Sequence, residues 1–271
     1  MTSASTATTG TDIRDRIHLV AHTARTEAII TSPVVMLHGI GGSVASCEPL
    51  ASRLAEAGVS SWCVDAPGFG QSADPEAGGD VVDDILDVLD VVSPDQPAVI
   101  VGTSWGGVIA MSAVLRRPDR VRALVLADTT RGSGISEQKS AAMRARITEL
   151  RDNGAVSVAA GRADRLTAPD ADPAVAADVR KSMAAVRLPG FSAAAEFMAA
   201  TDHGPDLPRI AIPALVLVGD KDVITGVDES RLLAERIPNA ELHIVDHAGH
   251  VAIQEQPAVV AGHVVDFLRR L

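Results

Sequence analysis

Apolar residues in this chain follow two textures, short solid runs and longer stretches spaced for a helix, and the two alternate. Solid runs of strand length fall at 33–37, 98–101 and 214–218, and strand-length stretches with polar interruptions at 59–64, 121–126 and 241–245. A strand covered on both faces requires such a run, with no polar alternation. Between them, apolar positions at helical spacing predict helices over 46–57, 80–92, 105–116, 227–236 and 257–271. Two shorter runs at 17–20 and 27–30 read as antiparallel edge strands ahead of this alternation. Strand–helix alternation implies an α/β chain with a mostly parallel, doubly wound sheet and helices on both faces. In such sheets a ligand sits beyond the carboxyl ends of the strands.

From 131 to 208 the alternation stops. The stretch is rich in Ala, Arg and Asp, with helical spacing broken at Gly154, Gly161, Pro169, Pro173 and Pro189. It reads as an inserted helical cap, dividing the chain into a core part at 1–130, the cap at 131–208 and a second core part at 209–271. A cap over strand ends would exclude water and shape a pocket. Its apolar residues Leu166, Met183, Val186, Leu188, Phe191, Phe197 and Met198 either face that pocket or pack a small core of their own. Trp105, Leu166, Met183, Phe191 and Val223 are expected to line the substrate pocket. Arg162, Arg165, Arg180 and Arg187 either pair with a substrate carboxylate or lie on a solvated face.

The chemistry enters at the ends of the runs. The run at 98–101 feeds Gly102-Thr103-Ser104-Trp105-Gly106, a G-x-S-x-G turn that presents a serine between a strand and a helix. The run at 33–37 breaks into His38-Gly39-Ile40-Gly41-Gly42-Ser43, whose glycines leave backbone amides unobstructed. The N–H groups of Ile40 and Trp105 are the expected donors to an oxyanion. No Lys-Ser/Thr follows that loop and no G-x-G-x-x-G register fits, which argues against a nucleotide.

Downstream, 214–218 ends in Gly219-Asp220-Lys221-Asp222, and 241–245 is followed by Asp246-His247-Ala248-Gly249-His250. A serine hydroxyl needs a histidine base, and the base needs a carboxylate to fix its tautomer. Ser104, His250 and Asp222 fill those roles in the chain order Ser, Asp, His. His247 on the same loop is the rival base, Asp128 after 124–126 is the rival acid, and Asp220 is read as shaping its turn. Cys47 either approaches the pocket or fills space at the start of a helix.

Composition narrows the class of partner. A chain of 271 residues, 46% hydrophobic, supports one elaborated core. Net charge of −11, from 35 acidic against 24 basic residues, opposes binding to a nucleic-acid backbone or an anionic membrane. A small-molecule substrate is expected instead, and assembly into a homo-oligomer stays open. Cys47 and Cys63, the two cysteines, make neither a disulfide framework nor a metal cluster, so no metal and no cofactor are expected. The amino-terminal residues 1–12 follow neither a secretory nor a transit pattern, and the apolar runs are strand-length, so a cytoplasmic protein is expected.

With these motifs in order, the chain resembles the α/β-hydrolase superfamily from the 38–43 loop to Gly249-His250. Asp65-Ala66-Pro67-Gly68-Phe69-Gly70-Gln71-Ser72 is similar to that superfamily's D-x-x-G-x-G-x-S turn. The resemblance implies an α/β-hydrolase fold with an inserted cap and a serine hydrolase. The cap and the last third look most like 3-oxoadipate enol-lactonases and C–C bond hydrolases of aromatic-ring degradation. A small carboxylic ester or lactone, or a ring-cleavage diketone, is the substrate so implied. Trp105 stands where enol-lactonases usually carry Met, and it would put an indole at the floor of the pocket. Ser in place of Asp at 104 argues against dehalogenation. The superfamily also holds cofactor-free oxygenases and ligand-binding receptors that keep the triad, so the fold alone does not settle the activity.

Overall fold

In the computed structural model, which describes residues 13–271, the solid apolar runs are strands. They are β1 (Leu19–His22), β2 (Val34–Leu37), β3 (Ser61–Val64), β4 (Ala98–Thr103), β5 (Val121–Ala127), β6 (Ala214–Gly219) and β7 (Ala240–Val245). The helices are α1 (Ile13–Arg16), α2 (Val44–Glu56), α3 (Val81–Val92), α4 (Trp105–Arg116), α5 (Glu137–Arg162), α6 (Pro173–Ala184), α7 (Leu188–Ala200), α8 (Gly226–Arg236), α9 (Ala252–Glu255) and α10 (Pro257–Leu268). The expectation of no secretory or transit sequence falls on residues 1–12, outside the described residues. No helix among the described residues is long and apolar enough to cross a membrane.

The strands form one sheet in the order β1-β3-β2-β4-β5-β6-β7, antiparallel at β1–β3 and parallel elsewhere. Period-2 alternation sorts each strand's side chains into two cores. Val35, Leu37, Ile100, Leu124, Leu126 and Val216 face the layer of α3, α4 and α8. Val34, Met36, Val99, Val101, Val125 and Leu215 face α2 and α10. Both sets are buried, the physical reason these strands read as solid apolar runs.

Register then brings the strand ends together. Leu37 pairs with Gly102, Gly102 with Leu126, Ala127 with Leu217, and Gly219 with Val245. The residues that follow β2, β4, β5, β6 and β7 therefore emerge along one edge of the sheet.

The expected edge strand at 27–30 does not form. The Arg25 and Ile29 amides donate instead to Ala55 O (2.8 Å) and Gly58 O (3.0 Å) at the end of α2. Ile29 and Ile30 pack half-buried against the α2 core, so the apolar pattern reports burial against a helix end and not strand pairing.

Between β5 and β6 the chain makes α5, α6 and α7, with α5 packed on both of the others. Gly154 kinks α5 at φ 76°, ψ 158°. Pro173 opens α6 and Pro189 sits in the first turn of α7, positions where proline's missing N–H is harmless. Gly161, expected as a break, lies inside the last turn of α5.

Candidate active site

The turn after β4 holds Ser104 at φ 52°, ψ −115°, a conformation that a residue with a Cβ adopts at a cost of about 1–3 kcal/mol. Neighbouring strands fix it there. Its amide donates to Ala127 O (2.9 Å), and its carbonyl accepts from Thr129 Oγ1 (2.5 Å). Close approach explains the flanking glycines, since a Cβ on Gly102 would lie 2.5 Å from Gly106 O and one on Gly106 would lie 2.4 Å from Leu37 O. The sharp turn aims the Ser104 hydroxyl away from the sheet, where His250 Nε2 lies 3.0 Å from Oγ.

His250 is buried on the loop after β7, and its Nδ1 donates to Asp222 Oδ2 at 3.0 Å. Asp222 lies on the loop after β6. Burial alone would raise its pKa, but the bond and charge of His250, the Thr225 hydroxyl (2.5 Å) and the Ile224 amide (2.7 Å) prevail and bring it to about 2. The carboxylate therefore stays ionised across any working pH, and its second oxygen is held by the loop's own amides.

The rivals fall elsewhere. His247 is exposed and pairs with Asp170 at 3.1 Å. Asp128 makes no bond to His250. Its oxygens accept the amides of Gly219 and Ala252, each at 2.9 Å, so it ties the end of β6 to the helix that follows His250. Asp220 accepts weakly from the Ala248 amide at 3.4 Å and pairs with Lys221.

Burial, reinforced by the nearby Asp222 charge, outweighs the attraction of His250 and two amide bonds and raises the Asp128 pKa to about 7. A raised carboxyl means that the native state binds this proton more tightly than the unfolded chain. The contribution is complete below the ordinary Asp value and is lost as pH climbs through about 7. Asp128→Asn lacks that term. The stability of wild type relative to the variant is expected to fall by up to about 4 kcal/mol from pH 4 to pH 8. Denaturant unfolding of both proteins across that range reads it, and a gap that stays constant with pH contradicts the assignment.

The loop after β2 carries the other half of the site. His38 is buried, its Nδ1 donating to Gly39 O (2.7 Å) and its Nε2 accepting from the Ala66 amide (3.1 Å). Because a carbonyl can only accept and an amide only donate, this ring is neutral with the proton on Nδ1, and burial holds its pKa down. Asp65 accepts from Val44 N, the first amide of α2 (2.7 Å), and from Gln71 N (2.9 Å), locking the 65–72 turn to the same loop. Between these anchors the Ile40 amide, like the Trp105 amide at the first position of α4, donates to no other group among the described residues. Both residues line the cavity above Ser104.

That cavity has a volume of about 460 Å³ and is bounded by the strand ends below and by α5, α6 and α7 above. Trp105, Leu166, Met183 and Phe191 line it. Val223 does not. It is 67% exposed, because Asp222 accepts the Ile224 and Thr225 amides, and the turn so formed puts Ile224 and Thr225 on the cavity wall and Val223 in solvent. Trp105 is itself 2% exposed, its ring packed at a tilt with centroids 5.1 Å from Phe69 and 5.9 Å from His38, so its indole is part of the floor's packing. Val186 and Met198 also face the cavity, whereas Leu188 and Phe197 pack into the clusters around it.

Of the four expected arginines, Arg162 and Arg165 reach the cavity. Arg180 pairs with Asp164, and Arg187 donates to Gly68 O (3.2 Å) and Ser72 O (2.6 Å), pinning the insertion to the 65–72 turn. Cys47 is buried in the α2 core beside Cys63, whose hydrogen bond, together with burial, pushes its thiol pKa up. Among the described residues, no group of three or more His, Cys, Asp or Glu side chains is arranged to hold a metal.

Sequence patterns missed the backbone ties between the insertion and the base. The His250 amide donates to Leu166 O (2.7 Å), and Glu255 accepts from both Ala168 N and Gly249 N (2.7 Å each). A Cβ on Gly249 would lie 2.7 Å from Leu166 O, the steric reason a glycine precedes His250.

The sequence matches known hydrolases along most of its length. The family described as serine aminopeptidase, S33, matches residues 30–257. The 2-hydroxy-6-oxononadienedioate/2-hydroxy-6-oxononatrienedioate hydrolase of Cupriavidus pinatubonensis is 32% identical over 260 residues, 87% of this chain and 86% of its own. The 3-oxoadipate enol-lactonase 2 of Acinetobacter baylyi is 29% identical over 202 residues, 72% of this chain and 73% of its own. A thermophilic esterase from Thermogutta terrifontis shares the fold with a TM-score of 0.85 at 24% identity, over 94% of this chain and 93% of that one. With its seven-stranded, mostly parallel sheet and flanking helices, the chain is a hydrolase of the α/β-hydrolase superfamily and belongs to the serine aminopeptidase S33 family.

Proposed function

We propose that the protein hydrolyses a small carboxylic ester or lactone, with Ser104 as nucleophile, His250 as base and Asp222 as the acid that orients it. The carrying observation is the unbroken line from Asp222 Oδ2 to His250 Nδ1 (3.0 Å) and from His250 Nε2 to Ser104 Oγ (3.0 Å). As Ser104 Oγ attacks the substrate carbonyl, its proton passes to His250 Nε2, and Asp222 stabilises the imidazolium. Charge develops on the former carbonyl oxygen, which accepts from the Ile40 and Trp105 amides, donors worth roughly 10²–10³ each in rate. Collapse returns the proton from His250 to the leaving alkoxide. Water, deprotonated by the same histidine, then releases the acid from the acyl-enzyme. Residues 131–208 serve as the cap that keeps bulk water from this step, over core parts formed by 1–130 and 209–271.

A second reading follows from the Cupriavidus relative. The same residues would serve C–C bond hydrolysis of a ring-cleavage diketone, with the carbon fragment leaving in place of an alkoxide. A panel of lactones, aryl esters and ring-cleavage diketones separates the two by which bond is cut. The shared requirement is an activated serine. A fluorophosphonate probe is expected to label the purified protein once, at Ser104 by peptide mapping, and to leave Ser104→Ala unlabelled. Labelling at another residue, or none, refutes the assignment.

A further inference from the structure

Arg146 stands one turn from Met143 and Leu150 on the face of α5 that meets the cavity, and all three line it. Its guanidinium carbon lies 5.3 Å from the centre of the Phe191 ring, and Nη1 lies 3.6 Å from Met143 Sδ. Nε is buried without a partner, and Arg146 joins no ion pair among the described residues. Its neighbour Arg162 is neutralised by Glu149 at 2.5 Å. Burial and the Arg162 charge lower the Arg146 pKa to about 10, which leaves it cationic near neutrality. The guanidinium faces a thioether and an aromatic ring, and the Glu149 carboxylate acts on it from beyond ion-pair distance while bonded to Arg162, so an anion in the cavity would supply the direct partner it lacks.

The wall around it points the same way. The chain carries −11 overall, yet Lys139, Arg146, Arg162 and Arg165 line the cavity against one acidic residue, Glu229. Glu229 is already engaged by the Thr130 hydroxyl (3.0 Å) and Arg131 (3.3 Å). An anion entering the cavity therefore meets a local field opposite in sign to that of the protein as a whole.

We propose that Arg146 determines specificity by binding a carboxylate of the substrate remote from the scissile carbonyl, so that the substrate is an ester or lactone bearing a free carboxylate. One guanidinium offers one bidentate fork, which matches a planar monoanion. This inference rests on the ester or lactone reading given above, and it names the class within it.

The test compares 4-nitrophenyl hydrogen glutarate with its methyl-capped neutral counterpart. Wild type is expected to favour the anionic ester in kcat/KM by about 10-fold or more, chiefly through KM, and Arg146→Met is expected to lower that ratio by about 10- to 100-fold. Arg146→Lys keeps charge without the fork and should fall between them. Arg180→Met, outside the cavity, should retain the wild-type ratio. Equal rates of wild type on the two esters, or a ratio unmoved in Arg146→Met and Arg146→Lys, overturns the inference while leaving Ser104 chemistry intact. Should neither ester turn over, calorimetric titration with glutarate decides the matter independently of catalysis. Binding by wild type that is weakened in Arg146→Met supports the anion site, and absence of binding by wild type overturns it.

Discussion

Ser104→Ala is expected to lower kcat on an activated aryl ester by about 10⁶, leaving residual turnover from the oxyanion donors alone. The hydroxyl is the one atom that His250 Nε2 meets at 3.0 Å on this side, so nothing else in the line can take its place as nucleophile. Folding is expected to survive. Alanine keeps the Cβ that the φ 52° turn already accommodates, and the elbow's restraints, Ala127 O and Thr129 Oγ1, act on backbone atoms that the substitution leaves alone. Thermal unfolding should therefore shift little, by the worth of one hydrogen bond, about 1 kcal/mol. His250→Ala should cost as much, and the double variant no more than either single one, because the residues act as a unit. Steady-state turnover with matched melting curves measures all three. Activity of Ser104→Ala within tenfold of wild type would falsify the nucleophile.

Asp222→Asn carries the second largest expected loss, about 10⁴ in kcat. The asparagine amide has one acceptor in place of two, and the Ile224 and Thr225 amides already claim an oxygen on this side chain. Presenting N–H to His250 Nδ1 would flip the imidazole tautomer and leave Nε2 protonated, unable to receive the Ser104 proton. Asp128→Asn removes no bond to His250, and its loss of activity should be smaller by at least about 10². Both carboxylates sit at the ends of adjacent strands, which makes the comparison decisive. If the order of the two losses were reversed, the acid role would pass to Asp128. Stability separates them as well, since Asp128 joins the end of β6 to the start of α9 through Gly219 and Ala252 whereas Asp222 organises its own loop.

The insertion is coupled to the base more directly than a lid resting on a core. The His250 amide bonds to Leu166 O, and Glu255 bridges Gly249 and Ala168. Movement of the 166–168 segment would therefore act on His250, the proposed base. Arg187, read as either a carboxylate partner or a solvated residue, instead holds the insertion to the 65–72 turn through two carbonyls.

Local pattern alone determined a large part of this molecule. The β2, β4, β5 and β6 runs are apolar at nearly every position, Arg122 of β5 being a half-buried exception, because each packs a helical layer on both faces, and that double burial is written residue by residue. The elbow at 102–106 and the loop at 38–43 were legible as glycine-marked turns at strand ends, although the close approaches that require Gly106 and Gly39, to Leu37 and Ser104, come from the fold. The run at 27–30 misled because apolar spacing reports burial without saying what does the burying, and here it is the end of α2. Only the tertiary structure decided which carboxylate meets His250, 28 positions away, and which serine, 146 positions away, since sheet register sets those distances. It likewise turned Val223 outward. Arg146 was invisible for the same physical reason: a cation's partners depend on what folds around it, and a helix pattern records spacing, not which side chains stand across a cavity.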